Sequence, residues 1–147
     1  MSDNSMIILP ADPLAVPPPE RQEAARVLLA SLRPDADPEL RVSETPEFFD
    51  CGENFEGIFC PFCEADVVEW WNEQMDKCWN GDRRNLAVVT TCCGRPTSLN
   101  DVDFVAPQGL ACFAIELMNG GPDLEPSERE QVEAALGVPV RIIWRHI

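Results

Sequence analysis

Apolar residues recur every three or four positions in three stretches of the chain, which predicts about three helices. The first covers residues 20–33, with three prolines before it and Pro34 after it. Its apolar stripe consists of Ala24, Val27, Leu28 and Leu32. The second covers residues 66–80, with Asp66 as its cap. Its buried face is predicted from residues three or four apart: Val67, Trp71, Met75 and Cys78.

The third predicted helix begins at a capping box, Ser127-Glu128-Arg129-Glu130, and ends at Gly137. Strands are predicted where apolar and β-branched residues cluster over shorter runs. These runs are 85–91, 111–118 and 138–147, with shorter ones at 48–49 and 55–59. In the run 111–118, alternate residues are predicted to lie on one side: Ala111, Phe113, Ile115 and Leu117. The order of elements predicts an α+β fold with a small mixed or antiparallel sheet.

The first third of the chain is rich in proline. Eight of the 14 prolines fall within residues 10–46. We therefore expect residues 1–19 to form an extended N-terminal segment on the surface, with residues 6–9 added to a sheet edge. The chain has 147 residues, which suits one domain, so residues 20–147 are predicted to form a single α+β domain.

Charge narrows the range of partners. Asp and Glu total 26 against 11 Lys and Arg, a formal net charge of -15. Binding to nucleic acid needs a basic surface, so this class of partner is excluded, and a basic protein or a cation is favoured. One His, one Lys and no Tyr leave few groups for acid–base catalysis.

The start of the chain gives no sign of export or membrane insertion. No Lys or Arg precedes Arg21, and the longest apolar run there is Met-Ile-Ile-Leu. A signal peptide or a spanning helix needs a longer apolar stretch. We therefore expect a cytoplasmic protein without membrane contact. In that compartment its seven cysteines stay reduced and are available for metal binding or redox chemistry.

Cysteines provide the strongest chemical signal. Cys60-Pro61-Phe62-Cys63 and Thr91-Cys92-Cys93-Gly94 are separated by residues 64–90. Two such turns resemble the knuckles of a zinc ribbon. The resemblance implies a structural Zn²⁺ site, a closed tetrahedron with no position for water or substrate. Its four predicted ligands are Cys60, Cys63, Cys92 and Cys93.

The second turn departs from the zinc-ribbon pattern because Cys92 and Cys93 are adjacent. Neighbouring side chains of an extended segment point in opposite directions, so both can bind one metal only where the backbone turns sharply. If only one of them does, the fourth ligand has to come from elsewhere. The remaining candidates are Cys51, Cys78, Cys112 and His146.

The C-P-F-C sequence also resembles the active-site motif of glutaredoxins. That resemblance implies Cys60 as the nucleophile and Cys63 as the resolving thiol, with a strand before them and a helix after them. Glu64 and Asp66 follow at once, and negative charge raises the pKa of a thiol. A thiol oxidoreductase is therefore the alternative hypothesis, and structural metal binding is the leading one.

Residues 42–76 contain ten acidic residues and no Lys or Arg. An acidic surface of this kind favours a basic protein partner. Trp71 is predicted to face the core, whereas Trp70 beside Glu69 and Glu73 is predicted to be an exposed anchor. The predicted partner-binding residues are Glu64, Asp66, Glu69, Trp70, Glu73 and Asp76.

Over most of its length the chain also resembles a group of small acidic bacterial proteins without assigned activity. The shared pattern is C-P-x-C, a Trp pair, T-x-C-C-G and S-L-N-D, the last at residues 98–101. This resemblance implies a non-enzymatic protein of the immunity or antitoxin type, which neutralises a basic toxin. A zinc-ribbon adaptor in a larger assembly is a further alternative.

Overall fold

The computed structural model describes residues 3–147 and has an α+β fold, as the sequence predicts. Its main sheet has four antiparallel strands in the order β2-β7-β1-β8. Two smaller sheets pair β3 with β6 and β4 with β5. In chain order the elements are β1 Asn4–Pro10, α1 Pro19–Leu32, β2 Glu39–Phe49, β3 Ile58–Phe59, α2 Val68–Trp79, β4 Ala87–Val89, β5 Pro96–Ser98, β6 Asp103–Phe104, β7 Gly109–Met118, α3 Pro126–Leu136 and β8 Val140–His146. No helix within residues 3–147 is long and apolar enough to cross a membrane.

Helices α1 and α3 cover one face of the main sheet and bury a continuous apolar cluster. The face of α1 that is buried differs from the predicted stripe, because Ala25 and Leu29 are buried whereas Val27 is 54% exposed. The buried residues Gln22, Ala25 and Leu29 are three and four positions apart, so they form a helical stripe of their own. The helix is therefore rotated relative to the prediction, and only Leu28 of the predicted stripe packs against the cluster as a partly buried residue.

Strand β1 is an inner strand of the main sheet, so the predicted edge position of residues 6–9 is wrong. It pairs with β7 on one side and with β8 on the other. Met6, Ile7, Ile8 and Leu9 are fully buried. An apolar run without polar alternation is typical of a strand that is covered on both faces, which explains the central position. Of the predicted N-terminal segment 1–19, residues 1 and 2 lie outside the described part of the chain.

Strand β7 is also buried on both faces, whereas alternation predicts one buried side. Residues 110–117 are all buried. The face away from the helices packs against Ile7, Leu9 and Ile143 and against the chain that follows β2. That face carries apolar residues for this reason, and Glu116, opposite Ile7, is buried there beside Arg41 and Arg145.

Helix α3 begins earlier than the predicted capping box. Its N-cap is Glu125, followed by Pro126 at the first helical position. The carboxylate of Glu128 accepts the backbone N–H of Glu125 at 2.9 Å, so the capping box is formed by Glu125 and Glu128, two residues before the predicted pair Ser127 and Glu130. The helix ends as predicted at Gly137, whose φ of 79° is the left-handed conformation that glycine adopts readily.

Residues 58–104 form a second packed unit between β2 and β7, which we call the cysteine unit. It contains β3, α2, β4, β5 and β6. Its core is a cluster of buried residues to which Leu110 of the main sheet also belongs: Ile58, Cys60, Val67, Trp70, Trp71, Cys78, Leu86, Leu99, Val102 and Leu110. The indole N–H of Trp71 donates to the carbonyl of Leu99 at 2.9 Å and joins α2 to the chain after β5.

Asn100 connects the cysteine unit to the main sheet. Its Oδ1 accepts the backbone N–H of Leu110 at 2.8 Å and Nη1 of Arg141 at 3.0 Å. Its Nδ2 donates to the carbonyl of Ala11 at 3.4 Å. The side chain of Asn100 is buried, so water cannot take over these hydrogen bonds if the side chain is removed. The S-L-N-D segment therefore has a structural role at this junction.

We expect Asn100→Ala to destabilise the protein by about 2–4 kcal/mol, because it leaves the buried N–H of Leu110 without an acceptor and removes one of the two acceptors of Nη1 of Arg141, the other being the carbonyl of Gln108. Urea unfolding followed by circular dichroism measures the change. Asn85→Ala is the control, since Asn85 is exposed and its Oδ1 accepts only the nearby N–H of Ala87. An equal loss of stability in both variants would contradict the proposed importance of the two acceptor contacts.

Candidate metal centre

The first cysteine turn is closed by two backbone hydrogen bonds. The N–H of Cys60 donates to the carbonyl of Ala65 at 2.8 Å, and the N–H of Glu64 donates to the carbonyl of Cys60 at 3.0 Å. Glu64 has a φ of 64°, which lets the chain reverse directly after Cys63. The turn follows β3 and precedes α2, and it places both thiols on the same side.

The second turn has the same hydrogen bonds, starting at Thr90. The N–H of Thr90 donates to the carbonyl of Arg95 at 2.9 Å, and the N–H of Gly94 donates to the carbonyl of Thr90 at 2.9 Å. Gly94 has a φ of 69°, close to that of the residue that reverses the first turn. The turn connects β4 to β5.

The two turns therefore correspond position by position. Thr90 occupies the place of Cys60, and Cys93 occupies the place of Cys63. Cys92 has no cysteine counterpart in the first turn, where the third position is a phenylalanine. The sharp turn required for two adjacent ligands is thus present, and the fourth thiol comes from the third position of the turn instead of the first.

All four predicted cysteines lie together. Their Sγ atoms are within 4.8 Å of one another. Sγ of Cys60 is 3.7 Å from Sγ of Cys93, and Sγ of Cys63 is 3.4 Å from Sγ of Cys92. Zn–S bonds of about 2.3 Å in a tetrahedron separate the sulfurs by about 3.8 Å. The size and chemistry of the donor set therefore fit a metal that prefers thiolates.

The alternative ligands lie outside this cluster in the described part of the chain. Burial raises the pKa of the thiols of Cys51, Cys78 and Cys112, which keeps them protonated. The imidazole of His146 contacts Oδ1 of Asn4 at 2.7 Å instead. None of these four residues is placed to replace a cysteine of the cluster.

Thiol ionisation differs within the cluster. Desolvation raises the pKa of Cys60, but hydrogen bonds from the N–H groups of Cys63 and Phe62 and from neighbouring thiols outweigh it and lower the pKa to about 6. Desolvation and the hydrogen bonds with the other cluster thiols raise the pKa of Cys92 to about 12. The thiolate of Cys60 therefore forms easily, and its negative charge disfavours ionisation of a second thiol such as Cys92. A divalent cation bound by the thiolates offsets this repulsion.

The glutaredoxin-like alternative requires the C-P-F-C motif to connect a sheet strand directly to a helix. The preceding strand β3 is only Ile58–Phe59 and pairs with β6 in a two-stranded sheet. Helix α2 begins at Val68, after the turn has already reversed. The side chain of Cys60 is buried. These features do not match the arrangement in which a helix N-terminus activates an accessible thiolate.

Helix α2 begins one residue later than predicted, so the predicted cap Asp66 precedes the N-cap by one residue. The N-cap is Val67, and the carboxylate of Asp66 accepts the N–H of Val68 at 3.1 Å. The predicted buried face is present, with Val67, Trp71 and Cys78 buried and Met75 partly buried. Asp66 thus stabilises the start of the helix in the manner of an Asx turn.

Trp70 is not exposed, so its predicted role as a surface anchor is wrong. Its side chain is 8% exposed and packs in the core of the cysteine unit. A helix that packs against a core buries a stripe about 100° wide, which accommodates both Trp70 and Trp71. Its indole N–H has no hydrogen-bond partner within the described residues.

The predicted acidic residues Glu64, Asp66, Glu69, Glu73 and Asp76 are all exposed. The fold places arginine side chains beside other residues of the acidic stretch 42–76. Arg145 pairs with Asp50 at 2.7 Å, and the guanidinium of Arg95 lies 5.4 Å from the ring centroid of Phe62. Within residues 3–147, none of the five carboxylates forms a salt bridge.

No protein-family model, curated protein or solved structure matches the chain. The fold and the site define an α+β protein with a four-cysteine cluster that is suited to binding a metal ion. Sequence reasoning missed Thr90 and Asn100. Aligning C-P-F-C-E with T-T-C-C-G at their last cysteines was the available signal for Thr90. Asn100 belongs to the S-L-N-D pattern, but its structural role gave no local signal, because Ala11 and Arg141 are distant in sequence.

Proposed function

We propose that this chain is a non-enzymatic protein-binding module, stabilised by a structural Zn²⁺, that binds a basic protein in the cytoplasm. The ligands are Cys60, Cys63, Cys92 and Cys93. Four thiolates close the coordination sphere, so the metal contributes to folding and offers no position to a substrate. The most specific form of the proposal is an immunity or antitoxin protein whose partner is a basic toxin.

The observation that carries the proposal is the exposed face of α2. Glu69, Glu73 and Asp76 follow one another at spacings of four and three, so they lie on one side of the helix. These three side chains are exposed and unpaired within the described residues. Carboxylates without internal partners increase self-repulsion in a protein of net charge -15, and a basic partner relieves it.

A groove beside this face supplies apolar contacts in place of Trp70. Its volume is about 510 Å³, and Asp76 is one of the residues that line it. Phe48, Met75 and Trp79 line it and are partly buried. Glu47 and Arg83 also line the groove, with Arg83 over the ring of Trp79. A bound segment would therefore place an apolar side chain in the groove and its basic groups beside Glu47 and Asp76, which combines apolar and polar contacts as interfaces do.

We expect the triple variant Glu69→Lys, Glu73→Lys and Asp76→Lys to weaken binding of a fluorescent Lys- and Arg-rich peptide by about tenfold or more at low salt. Wild-type affinity is expected to fall as salt is added, because the contact is electrostatic. Fluorescence anisotropy at several salt concentrations measures both effects. Circular dichroism verifies that α2 is retained, since Glu69 stands in its first turn.

The matched control reverses three exposed carboxylates away from α2: Glu20→Lys, Asp35→Lys and Glu130→Lys. It changes the net charge by the same amount as the first triple variant. We expect it to retain most of the affinity. Equal losses in both variants would show that total charge governs binding, and the proposal of a specific acidic surface would then be rejected.

A further inference from the structure

We propose that Cys92 is the oxidant-sensitive residue of the centre. In the zinc-bound protein, hydrogen peroxide oxidises Cys92 first, Cys63 forms a disulfide with it, and the metal is released. This inference rests on the zinc centre proposed above. It assigns a modification site and a chemical class of modifier, a small neutral peroxide.

The four thiols fall into two unlike pairs. Cys60 accepts the N–H of Phe62 at 3.4 Å, and Cys93 lies 3.2 Å from the hydroxyl oxygen of Thr90. Cys63 and Cys92 contact each other at 3.4 Å and have no backbone or hydroxyl donor within residues 3–147. Hydrogen bonds to a thiolate stabilise its negative charge and reduce its reactivity as a nucleophile. The pair Cys63 and Cys92 lacks this stabilisation.

Exposure favours the same pair, because Cys63, Cys92 and Cys93 are exposed and Cys60 is buried, so both thiols are exposed only in the pair Cys63 and Cys92. The contact between Cys63 and Cys92 is exposed, whereas that between Cys60 and Cys93 is partly buried. An oxidant in solution therefore reaches the first pair more easily.

Cys92 is distinguished from Cys63 by its place in the turn. Cys63 has a counterpart in Cys93, so both occupy the last position of matching turns. Cys92 stands where the first turn has Phe62. In the first turn, Cys60 occupies the position whose side chain accepts a backbone N–H. In the second turn, Thr90 occupies that position. The fourth ligand thus lies outside the hydrogen-bonding frame that both turns share.

A groove leads to Cys92. It has a volume of about 600 Å³ between the second turn and the start of α2. Asp66, Glu69 and Trp70 are among its lining residues. The two exposed carboxylates repel anions, so a neutral oxidant is favoured over an anionic one.

The oxidation balances with one peroxide molecule. The thiolate of Cys92 attacks one peroxide oxygen, the O–O bond breaks, and hydroxide leaves, which forms a sulfenic acid. The thiolate of Cys63 then attacks that sulfur, an S–S bond forms, and a second hydroxide leaves. The two sulfurs lose two electrons in total, and the two hydroxides take up protons to become water. Two thiolates remain, which are too few to hold the metal in a closed tetrahedral site.

The double variant Thr90→Cys, Cys92→Ser tests this inference. It moves the fourth sulfur to the first position of the turn, where the equivalent residue Cys60 receives an N–H donor. We expect the variant to bind one zinc and to release it at least about tenfold more slowly than wild type under hydrogen peroxide. A chromophoric zinc chelator follows the release. Equal release rates in the two proteins would overturn the inference.

Differential alkylation with peptide mass spectrometry provides a second measurement on wild-type protein alone. We expect the first disulfide to join Cys63 and Cys92, while the buried Cys51, Cys78 and Cys112 stay reduced. A first disulfide between Cys60 and Cys93 would overturn the inference even if the double variant does not fold. Zinc content is measured first. Its absence rejects the proposed centre, whereas bound zinc with a different order of oxidation rejects only the role of Cys92.

Discussion

Replacing Cys93 with serine is expected to weaken zinc binding strongly and to destabilise the cysteine unit. Structural zinc in small domains contributes about 10–16 kcal/mol, which is about 2.5–4 kcal/mol for each of four ligands. Zinc affinity should therefore fall by about two to three powers of ten. Native mass spectrometry measures the metal. Near-ultraviolet circular dichroism follows folding of the unit, which contains Trp70, Trp71 and Trp79.

Cys78→Ser is the control for this experiment. Cys78 is buried outside the four-cysteine cluster, and its thiol lies 3.7 Å from the carbonyls of Asp82 and Asn85. We expect this variant to retain one zinc per chain with a stability change of about 1 kcal/mol. One zinc bound to Cys93→Ser with unchanged affinity would contradict the assignment of Cys93 as a ligand.

The second large effect is expected from Trp71→Ala. Trp71 is buried, with its ring centroid 5.1 Å from that of Phe48 and 5.7 Å from that of Phe104. Replacing a buried tryptophan with alanine costs about 3–5 kcal/mol, and here the carbonyl of Leu99 also loses its donor. Domains of this size are stable by about 5–15 kcal/mol, so a large share of the stability is lost. Urea unfolding followed by far-ultraviolet circular dichroism measures it.

Trp79→Ala is the comparison for Trp71→Ala. Trp79 lies on the same helix but is only partly buried, and the guanidinium of Arg83 lies 5.4 Å from its ring centroid. We expect a loss of about 1 kcal/mol from the smaller burial and the cation–π contact. If both variants lose the same free energy of unfolding, Trp71 does not hold the central position in the packing of the unit.

Local patterns predicted those parts of the fold that depend on nearby residues. The course of α2, the end of α3 at Gly137 and the long strand at residues 111–118 follow from periodicity and turn chemistry. The position of β1 depends on which strands it meets, and its partners β7 and β8 are far away in sequence. The rotation of α1 depends likewise on α3 and the sheet. These tertiary contacts leave no periodic signal in the residues themselves.

The four-cysteine cluster was predictable for the same reason. Each cysteine turn is a local structure, and the spacing within it restricts where the thiols point. The adjacency of Cys92 and Cys93 left the fourth ligand open, because the sequence alone does not reveal that the turn starts at Thr90. The burial of Trp70 was not predictable, because helical spacing fixes the angle between two residues but not the width of the surface that covers them.

The position of the cysteine unit in the chain affects the order of folding. Phe49 at the end of β2 pairs with Gly109 at the start of β7, so residues 50–108 form one long loop that returns to its starting point. Closing a long flexible loop costs chain entropy, and contacts between distant residues slow folding. If the loop first collapses around a metal bound by its four cysteines, its two ends are held close together. The metal would then accelerate the pairing of β2 with β7, and refolding in the presence of zinc should be faster than refolding with a chelator.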